Sequence, residues 1–559
     1  MPNLVGILRD HFIAHPERVA ITLQCAGMDD LPISYARLLS HASSYAELFA
    51  HKGILPGDVV VLILEHGEDL VYSFFGAILH GAIPSIMPFL TEKLSPERYR
   101  ADLTSLISVT RPAAIVTYPA FEAEVRAALG EGTSVRAIVL TSETSSPRDP
   151  DFNSLPGMGY PSDSVALLQH SSGTTGLQKG VALSHTAVLN QLDAYSAALC
   201  LTATDVVVSW LPLYHDMGLI AGFLMPVLSG IPLVLMSPFD WVRAPQHLFQ
   251  AVSQYRGTLT WLPNFAYAFC AQKIRERHME NIDLSSWRAV INCSEPVRWE
   301  SHQQFFEKFK SYGLALEALQ TCYAMAENVF GVTQSSLGSI PAMDDIDQEA
   351  FLHQHAAQPA VADRPSMRML SSGRSLSNTE IRILNEKGHV LAEREIGEIS
   401  LRSNSMLTGY YHRPDLTEKA FRAGWYQTGD YGYFAGGELY VTGRKKDMII
   451  IGGKNIYPQD IELLVNQVPG VHAGRSVAFG VFDETAGTEE VVVVAEIDAQ
   501  DAEALKTIGD EMRRYVTQNS AVALRLVYLV GPKWLLKTSS GKIARAANRE
   551  KYLSEVNDQ

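Results

Sequence analysis

The stretch 167–190, LLQHSSGTTGLQKGVALSHTAVLN, holds the densest set of residues able to do chemistry. Ser171, Ser172, Gly173, Thr174, Thr175, Gly176 and Lys179 lie between two apolar runs, 165–168 and 181–183. Glycines let a loop bring many backbone N–H groups to one point, and this loop adds four hydroxyls and an ammonium. A polyphosphate requires that combination: many donors, little bulk and positive charge. The spacing is not that of the Walker A loop. A flexible surface turn is the competing reading, and the buried strands on either side count against it.

Other candidates stand at the ends of apolar runs, where α/β sheets place ligands. A strand at 206–210 ends in Trp210 and is followed by His215, Asp216, Met217 and Gly218. An imidazole there can orient or screen a carboxylate, or be a satisfied structural histidine. Trp261, Asn264, Phe265, Tyr267 and Phe269 fall close together, as the wall of an apolar pocket or as core. One strand ends in Asn292, Cys293, Ser294 and Glu295, and another in Tyr323 and Ala324 with Glu327 just beyond. A carboxylate near the phosphate loop is a natural magnesium ligand, and an aromatic ring there can stack on a base. Asp430 occupies a Thr-Gly-Asp turn suited to the hydroxyls of a ribose, and Arg444 could reach the same ribose or a phosphate. Lys542 follows a Ser-Ser-Gly loop before a basic helix, either as a surface residue or as a donor entering a cleft.

The elements that must carry these residues point to an α/β fold. With 559 residues the chain exceeds one core. Hydrophobic content of 47% and charged content of 19% describe a folded globular protein. A formal charge of −15 argues against nucleic-acid partners. Five scattered cysteines without a C-x-x-C fit a reducing compartment, so a cytoplasmic location is expected. The start lacks the apolar core of a secretory signal. The longest uncharged run, 218–237, contains prolines and reads as a buried helix and a strand, so no membrane span is expected.

Helices and strands alternate from Leu4 onward, including a helix opened by Ser34, which predicts parallel sheets covered on both faces. Residues 343–366 break the pattern: the stretch is polar, has one short apolar set (Ala350, Phe351, Leu352), and reads as an insertion. TEIRIL, GEISLR and the run to MLTGYY predict a small β-rich subdomain. The charged break at Lys445, Lys446 and Asp447 predicts a boundary between domains 1–445 and 446–559.

Taken together, SSGTTGLQKG, WLPLYHDMGLI, YAMAEN, WYQTGD, GRKKDMII and KTSSGK resemble the adenylate-forming superfamily of acyl-CoA synthetases, luciferases and nonribosomal adenylation domains. Within it the chain is most similar to a fatty acyl-AMP ligase, on WLPLYHDMGLI, on ELYVTGRKKDMIIIGGKNIYPQDIE and on the insertion. The resemblance implies a large N-terminal domain of two α/β subdomains plus a small β-rich one, and a small mobile α+β C-terminal domain. It implies activation of a fatty acid by ATP to acyl-AMP and pyrophosphate. The acyl group would pass to the phosphopantetheine of an acyl carrier protein. Coenzyme A is the alternative acceptor, and a catalytically degenerate nucleotide- or acyl-binding protein the alternative of another class.

By the same resemblance residues 171–179 hold the β- and γ-phosphates and Glu327 the Mg2+. Asp430 and Arg444 hold the ribose, and Tyr323 with Cys293, Ser294 and Glu295 flanks adenine. Lys542 bridges the carboxylate and the α-phosphate. Trp210, His215, Met217, Gly218, Asn264, Phe265 and Ala324 line the acyl pocket, and Lys446 is the hinge. The chain departs from the family pattern at His170, Gln178, residues 292–295, Ala324 and Leu536. No Phe-Asp-x-Ser turn supplies an acid for a substrate ammonium, which argues against an amino-acid adenylation domain.

Overall fold

The computed structural model describes residues 3–557 apart from 26, 90–95, 172–178, 452–453, 484–487, 499–500, 521 and 539–540. Two large sheets dominate the first four hundred residues. One has nine strands in the spatial order Arg374–Ser375, Gly331–Gln334, Leu319–Ala324, Ala289–Cys293, Leu259–Pro263, Val207–Ser209, Leu233–Met236, Val19–Gln24 and Leu31–Ser34. Its six central members, from Leu319–Ala324 to Val19–Gln24, run parallel. Their β-branched and leucine-rich sequences are buried on both faces, as crossover helices require. The other has seven strands, in the order Gly409–Tyr410, Lys179–Ser184, Val165–Ser171, Ile83–Ile86, Val59–Leu62, Ala114–Thr117 and Ala137–Leu140.

Local signals explain the helices between them. Ser34 caps Tyr35–His51 by accepting from the Arg37 N–H at 3.2 Å, and Leu38, Leu39, Ala42, Tyr45 and Phe49 form its buried face. Ser184 caps His185–Ala198 in the same way, through the Ala187 N–H. The apolar run after His215 begins as a π-helix, Met217–Leu224, and continues as an α-helix, Met225–Ser229. No helix of the described residues is long and apolar enough to cross a membrane.

Two expectations change. The strand expected at 206–210 is limited to Val207–Ser209. The run to MLTGYY does not stay with the β-rich unit: Gly409–Tyr410 pairs with Val181 and Ala182 at the edge of the seven-stranded sheet. The Thr408 and Tyr411 N–H groups donate to the carbonyls of Ala182 and Gly180, so the free edge of Lys179–Ser184 is what captures the run. The β-rich unit itself is built from Thr379–Leu384, Gly397–Ser403, Phe421–Arg422, Trp425–Ala435 and Glu438–Arg444.

Past Arg444 a short 3-10 turn, Lys445–Asp447, leads to a two-stranded ribbon and the helix Pro458–Val465. A three-stranded sheet, Val471–Asp483, Thr488–Ile497 and Leu526–Val530, follows with the helices Ala502–Asn519 and Arg545–Asn557. Residues 343–366 form a strand, Met343–Asp347, and a helix, Gln348–Gln354, before the chain returns in Ser366–Leu370 to pair with that strand. Ala350, Phe351 and Leu352 are buried there. Phe351 and Leu352 share one apolar cluster with Ile449, Ile456, Tyr457 and Ile461 of the C-terminal region.

Candidate active site

Parallel strands aim their C-terminal ends at one edge of the nine-stranded sheet, and most of the candidate residues collect there. Leu319–Ala324 delivers Tyr323 and Ala324, Ala289–Cys293 delivers residues 293–295, Leu259–Pro263 delivers Asn264 and Phe265, and Val207–Ser209 delivers Trp210 and the 215–218 segment.

On one side the Tyr323 hydroxyl donates to Asp430 Oδ2 at 2.6 Å. Asp430 faces Arg444 across the antiparallel pair, with Arg444 Nε 3.6 Å from Oδ1. Burial pushes the Asp430 carboxyl above its usual range, and the Arg444 guanidinium and the Tyr323 hydroxyl pull it partly back. A buried carboxylate beside an arginine and an aromatic ring can accept from vicinal hydroxyls.

Next to this group stands Glu327. The Tyr410 hydroxyl donates to Glu327 Oε1 at 2.9 Å and meets the Tyr426 hydroxyl at 2.9 Å. Burial raises the Glu327 carboxyl, and the charge of Asp216 raises it further. Lys179 Nζ lies 4.9 Å from the centroid of the Tyr410 ring. Tyr410 thus ties the end of the glycine loop to the carboxylate, a connection that sequence reasoning missed because 409–410 was assigned to another subdomain. Val329, a β-branched residue, holds φ +63 two positions after Glu327. Such strain is tolerated where a neighbouring group must be held in place. Of the loop, Ser172, Gly173, Thr174, Thr175 and Gly176 lie outside the described residues, and Ser171 is described as backbone opposite Lys179.

The third group surrounds Lys542. Its Nζ donates to the Ser294 carbonyl at 2.7 Å, bridging 248 positions of sequence. Ser294 has φ +69, which turns that carbonyl toward the ammonium. Burial lowers the Lys542 ammonium, while the Glu295 and Asp216 carboxylates pull it up. His215 Nδ1 is 2.6 Å from Asp216 Oδ1, and Asp216 Oδ1 also accepts from the Met217 N–H. Burial acts to raise Asp216, but His215 and Lys542 outweigh it and leave the carboxyl below its usual range. Glu295 Oε2 accepts from the Phe265 N–H at 2.9 Å, so this carboxylate serves the first turn of Asn264–Lys273. Asn292 Nδ2 donates to Asn264 Oδ1 at 2.9 Å, and Ser294 Oγ touches Met217 Sδ at 3.9 Å. Cys293 is buried, and Ala324 half-buried.

Gly218 is used differently from a pocket-lining glycine. A Cβ there would stand 2.2 Å from the Pro212 carbonyl oxygen, so its lack of a side chain lets the π-helix pack on the 210–212 turn. Trp210 stacks on Trp241, whose place beside it gave no signal in the sequence. Lys446 lies in the turn Lys445–Asp447, near enough to Arg444, Asp430 and Lys179 for their charges to act on it. Asp447 pairs there with Arg545 at 2.9 Å, and Arg545 also holds Glu462 at 2.8 Å.

The AMP-binding enzyme family model matches residues 8–411. Among relatives, the medium-chain-fatty-acid–[acyl-carrier-protein] ligase JamA of Moorena producens is 30% identical, with 94% of this chain and 91% of that protein covered. The long-chain-fatty-acid–AMP ligase FadD26 of Mycobacterium tuberculosis is 28% identical, over 99% of this chain and 97% of that protein. A structure from a study of fatty acyl-adenylate ligases of E. coli and L. pneumophila superposes with a TM-score of 0.90 at 28% identity, covering 100% of this chain and 99% of that one. An L. pneumophila fatty acyl-adenylate ligase in complex with acyl adenylate and pyrophosphate superposes with a TM-score of 0.75 at 28% identity, covering 99% of this chain and 96% of that one. The chain belongs to the AMP-binding, adenylate-forming enzyme family. Within that family these relatives and neighbours make it most like the fatty acyl-AMP ligases.

Proposed function

We propose that this enzyme activates a fatty acid with ATP and passes the acyl group to the phosphopantetheine thiol of an acyl carrier protein. The observation that carries the reading is the Lys542 ammonium on the Ser294 carbonyl, within the field of Glu295 and of Asp216, which pairs with His215. In the proposed step a carboxylate oxygen attacks the α-phosphorus, a new P–O bond forms, and the bond to pyrophosphate breaks. Two anions must approach each other, so the site has to supply fixed positive charge and donors. Lys542 supplies charge where the carboxylate and α-phosphate meet, and Lys179 with the 171–176 loop takes the outgoing phosphates. Asp430 and Arg444 hold the ribose, and Tyr323 and the 293–295 turn flank the base. His215, oriented by Asp216, faces the carboxylate, and Trp210, Met217, Asn264, Phe265 and Ala324 border the acyl chain.

Magnesium is proposed at Glu327. The fit is chemical: a buried carboxylate with a raised pKa and a hydroxyl donor lacks a full counter-charge. Mg2+ is commonly bound through one or two carboxylates plus substrate phosphates. Among the described residues no cluster of three His, Cys, Asp or Glu could hold a metal by itself. When bound, the ion neutralises phosphate charge.

The acceptor and the domain motion belong to the same proposal. Residues 1–445 and 446–559 act as two bodies hinged at Lys446, and the 343–366 insertion restrains their rotation. Its apolar set supports this, being packed against Tyr457 with ring centroids 5.4 Å apart at Phe351. The partly buried ion pair between Arg298 and Asp460 adds to the restraint. Five free cysteines support a cytoplasmic location. The test is intact-mass detection of acyl-AMP from a panel of acids, followed by addition of coenzyme A or holo carrier protein. Formation of acyl-AMP and acyl-carrier protein is expected, and fast acyl-CoA formation would overturn the choice of acceptor.

A further inference from the structure

The line of contacts from Lys542 continues past the acid-binding end of the cleft. Lys542 meets Ser294, Glu295 holds the Phe265 N–H, and the Phe265 ring stands edge-on to both Trp210 and Trp241 at 6.5 Å. The two indoles lie face to face, with centroids 3.5 Å apart and planes 7° from parallel. Phe269 closes on Trp241 at 5.3 Å. Trp241 is fully buried in Pro238–Arg243, the short helix that follows strand Leu233–Met236. Immediately beyond, Gln24, Cys25, Asp30, Met236, Asp240 and His247 line a cavity of about 200 Å³. Trp241 thus follows Asp240, which lines this cavity, while Phe265 links the stack to the groups around Lys542.

We propose that the Trp210–Trp241 stack is the end wall of the acyl site and limits the enzyme to acids of short or medium chain. The inference rests on the adenylation reading above. Three observations carry it. The stack sits at the C-terminal ends of neighbouring parallel strands, in line with the reacting groups and not in the sheet's interior. Among the described residues neither buried indole N–H has an acceptor. A residue kept only to fill the core would be phenylalanine or leucine, which carries no unpaired donor, so the broad flat rings are retained for their shape. Behind the wall carboxylates, amides and an imidazole interrupt the apolar lining of Cys25 and Met236, a poorer environment for an alkyl tail than the core. A close-packed aromatic pair does not yield by a methylene at a time, so the wall acts as a step in chain-length preference.

Pyrophosphate exchange with hexanoate, decanoate and hexadecanoate tests the wall. The unsubstituted enzyme should lose about tenfold or more in kcat/KM between decanoate and hexadecanoate. Trp241→Ala should raise the hexadecanoate-to-decanoate ratio by about tenfold. Trp241→Leu, which keeps apolar bulk but breaks the stack, should raise it less, and protection from thermal unfolding by ATP shows that each variant is folded. An unsubstituted enzyme that uses hexadecanoate as well as decanoate overturns the proposal without reference to any variant. So does a folded Trp241→Ala protein with an unchanged ratio. Absence of exchange with every acid refutes the adenylation reading itself, and the proposal with it.

Discussion

Lys542 and Glu327 show how single residues carry opposite costs. An ammonium on one carbonyl is held down in pKa by burial and pulled partly back by Glu295 and Asp216. Lys542→Ala should lower acid-dependent pyrophosphate exchange by about a hundredfold or more while leaving nucleotide binding largely intact, as measured by exchange and by equilibrium binding. Glu327 is raised by burial, so only above that raised value does it present the charge that a cation needs. The kcat/KM of exchange should fall as pH drops through it, and Glu327→Gln should lose activity and the magnesium dependence together. The linkage sign is definite: a carboxyl whose folded pKa lies above its unfolded value subtracts stability once pH exceeds the unfolded value. Glu327→Gln should therefore raise the thermal midpoint of the free enzyme at pH 7, measured by calorimetry. Asp430, Arg444 and Tyr323 were legible from their turns and strand ends. Tyr410 and Trp241 were not, because a tyrosine in a short strand and a tryptophan in a short helix look the same in the core as in a site.

At the scale of elements, close approach and shared packing do what composition alone conceals. The π-helix Met217–Leu224 carries Asp216 at its cap and starts against the Pro212 carbonyl, where Gly218 leaves room. Gly218→Ala should displace the 210–216 turn with His215, reducing exchange by about tenfold or more and lowering the thermal midpoint. Polarity made residues 343–366 stand out as an insertion, and Phe351 and Leu352 on one turn of Gln348–Gln354 join it to the apolar cluster of the C-terminal region. Helical periodicity and caps revealed the helix opened by Ser34, since a long amphipathic run repeats its signal. A seven-residue helix repeats nothing. Phe351→Ala should loosen the docking and increase the acyl-CoA formed from preformed acyl-AMP, detected by mass spectrometry.

For the molecule as a whole, buried imidazoles set an acid limit. Burial holds His170 and His185 down to about 4 and His302 to about 3, against an ordinary value of 6.5. As pH falls below 6.5 the unfolded chain binds these protons first, so stability drains away between there and pH 4. The thermal midpoint should fall steeply over that window, and His170→Phe should flatten the slope. The α/β class could be read from alternating periodicities. Which edge captures a short strand could not, because the hydrogen bonds of Gly409–Tyr410 are made with a partner more than two hundred residues away. One cluster joins Phe351 of the insertion to Tyr457 and Ile461 of the last domain. The swing about Lys446 proposed above would have to peel this greasy seam open and lay its carbon against water once in every cycle. Wetting of such a surface carries a heat capacity. The clock of this enzyme would then be read with a thermometer: an Arrhenius plot of turnover that bends, and one that straightens when the seam's phenylalanine is gone.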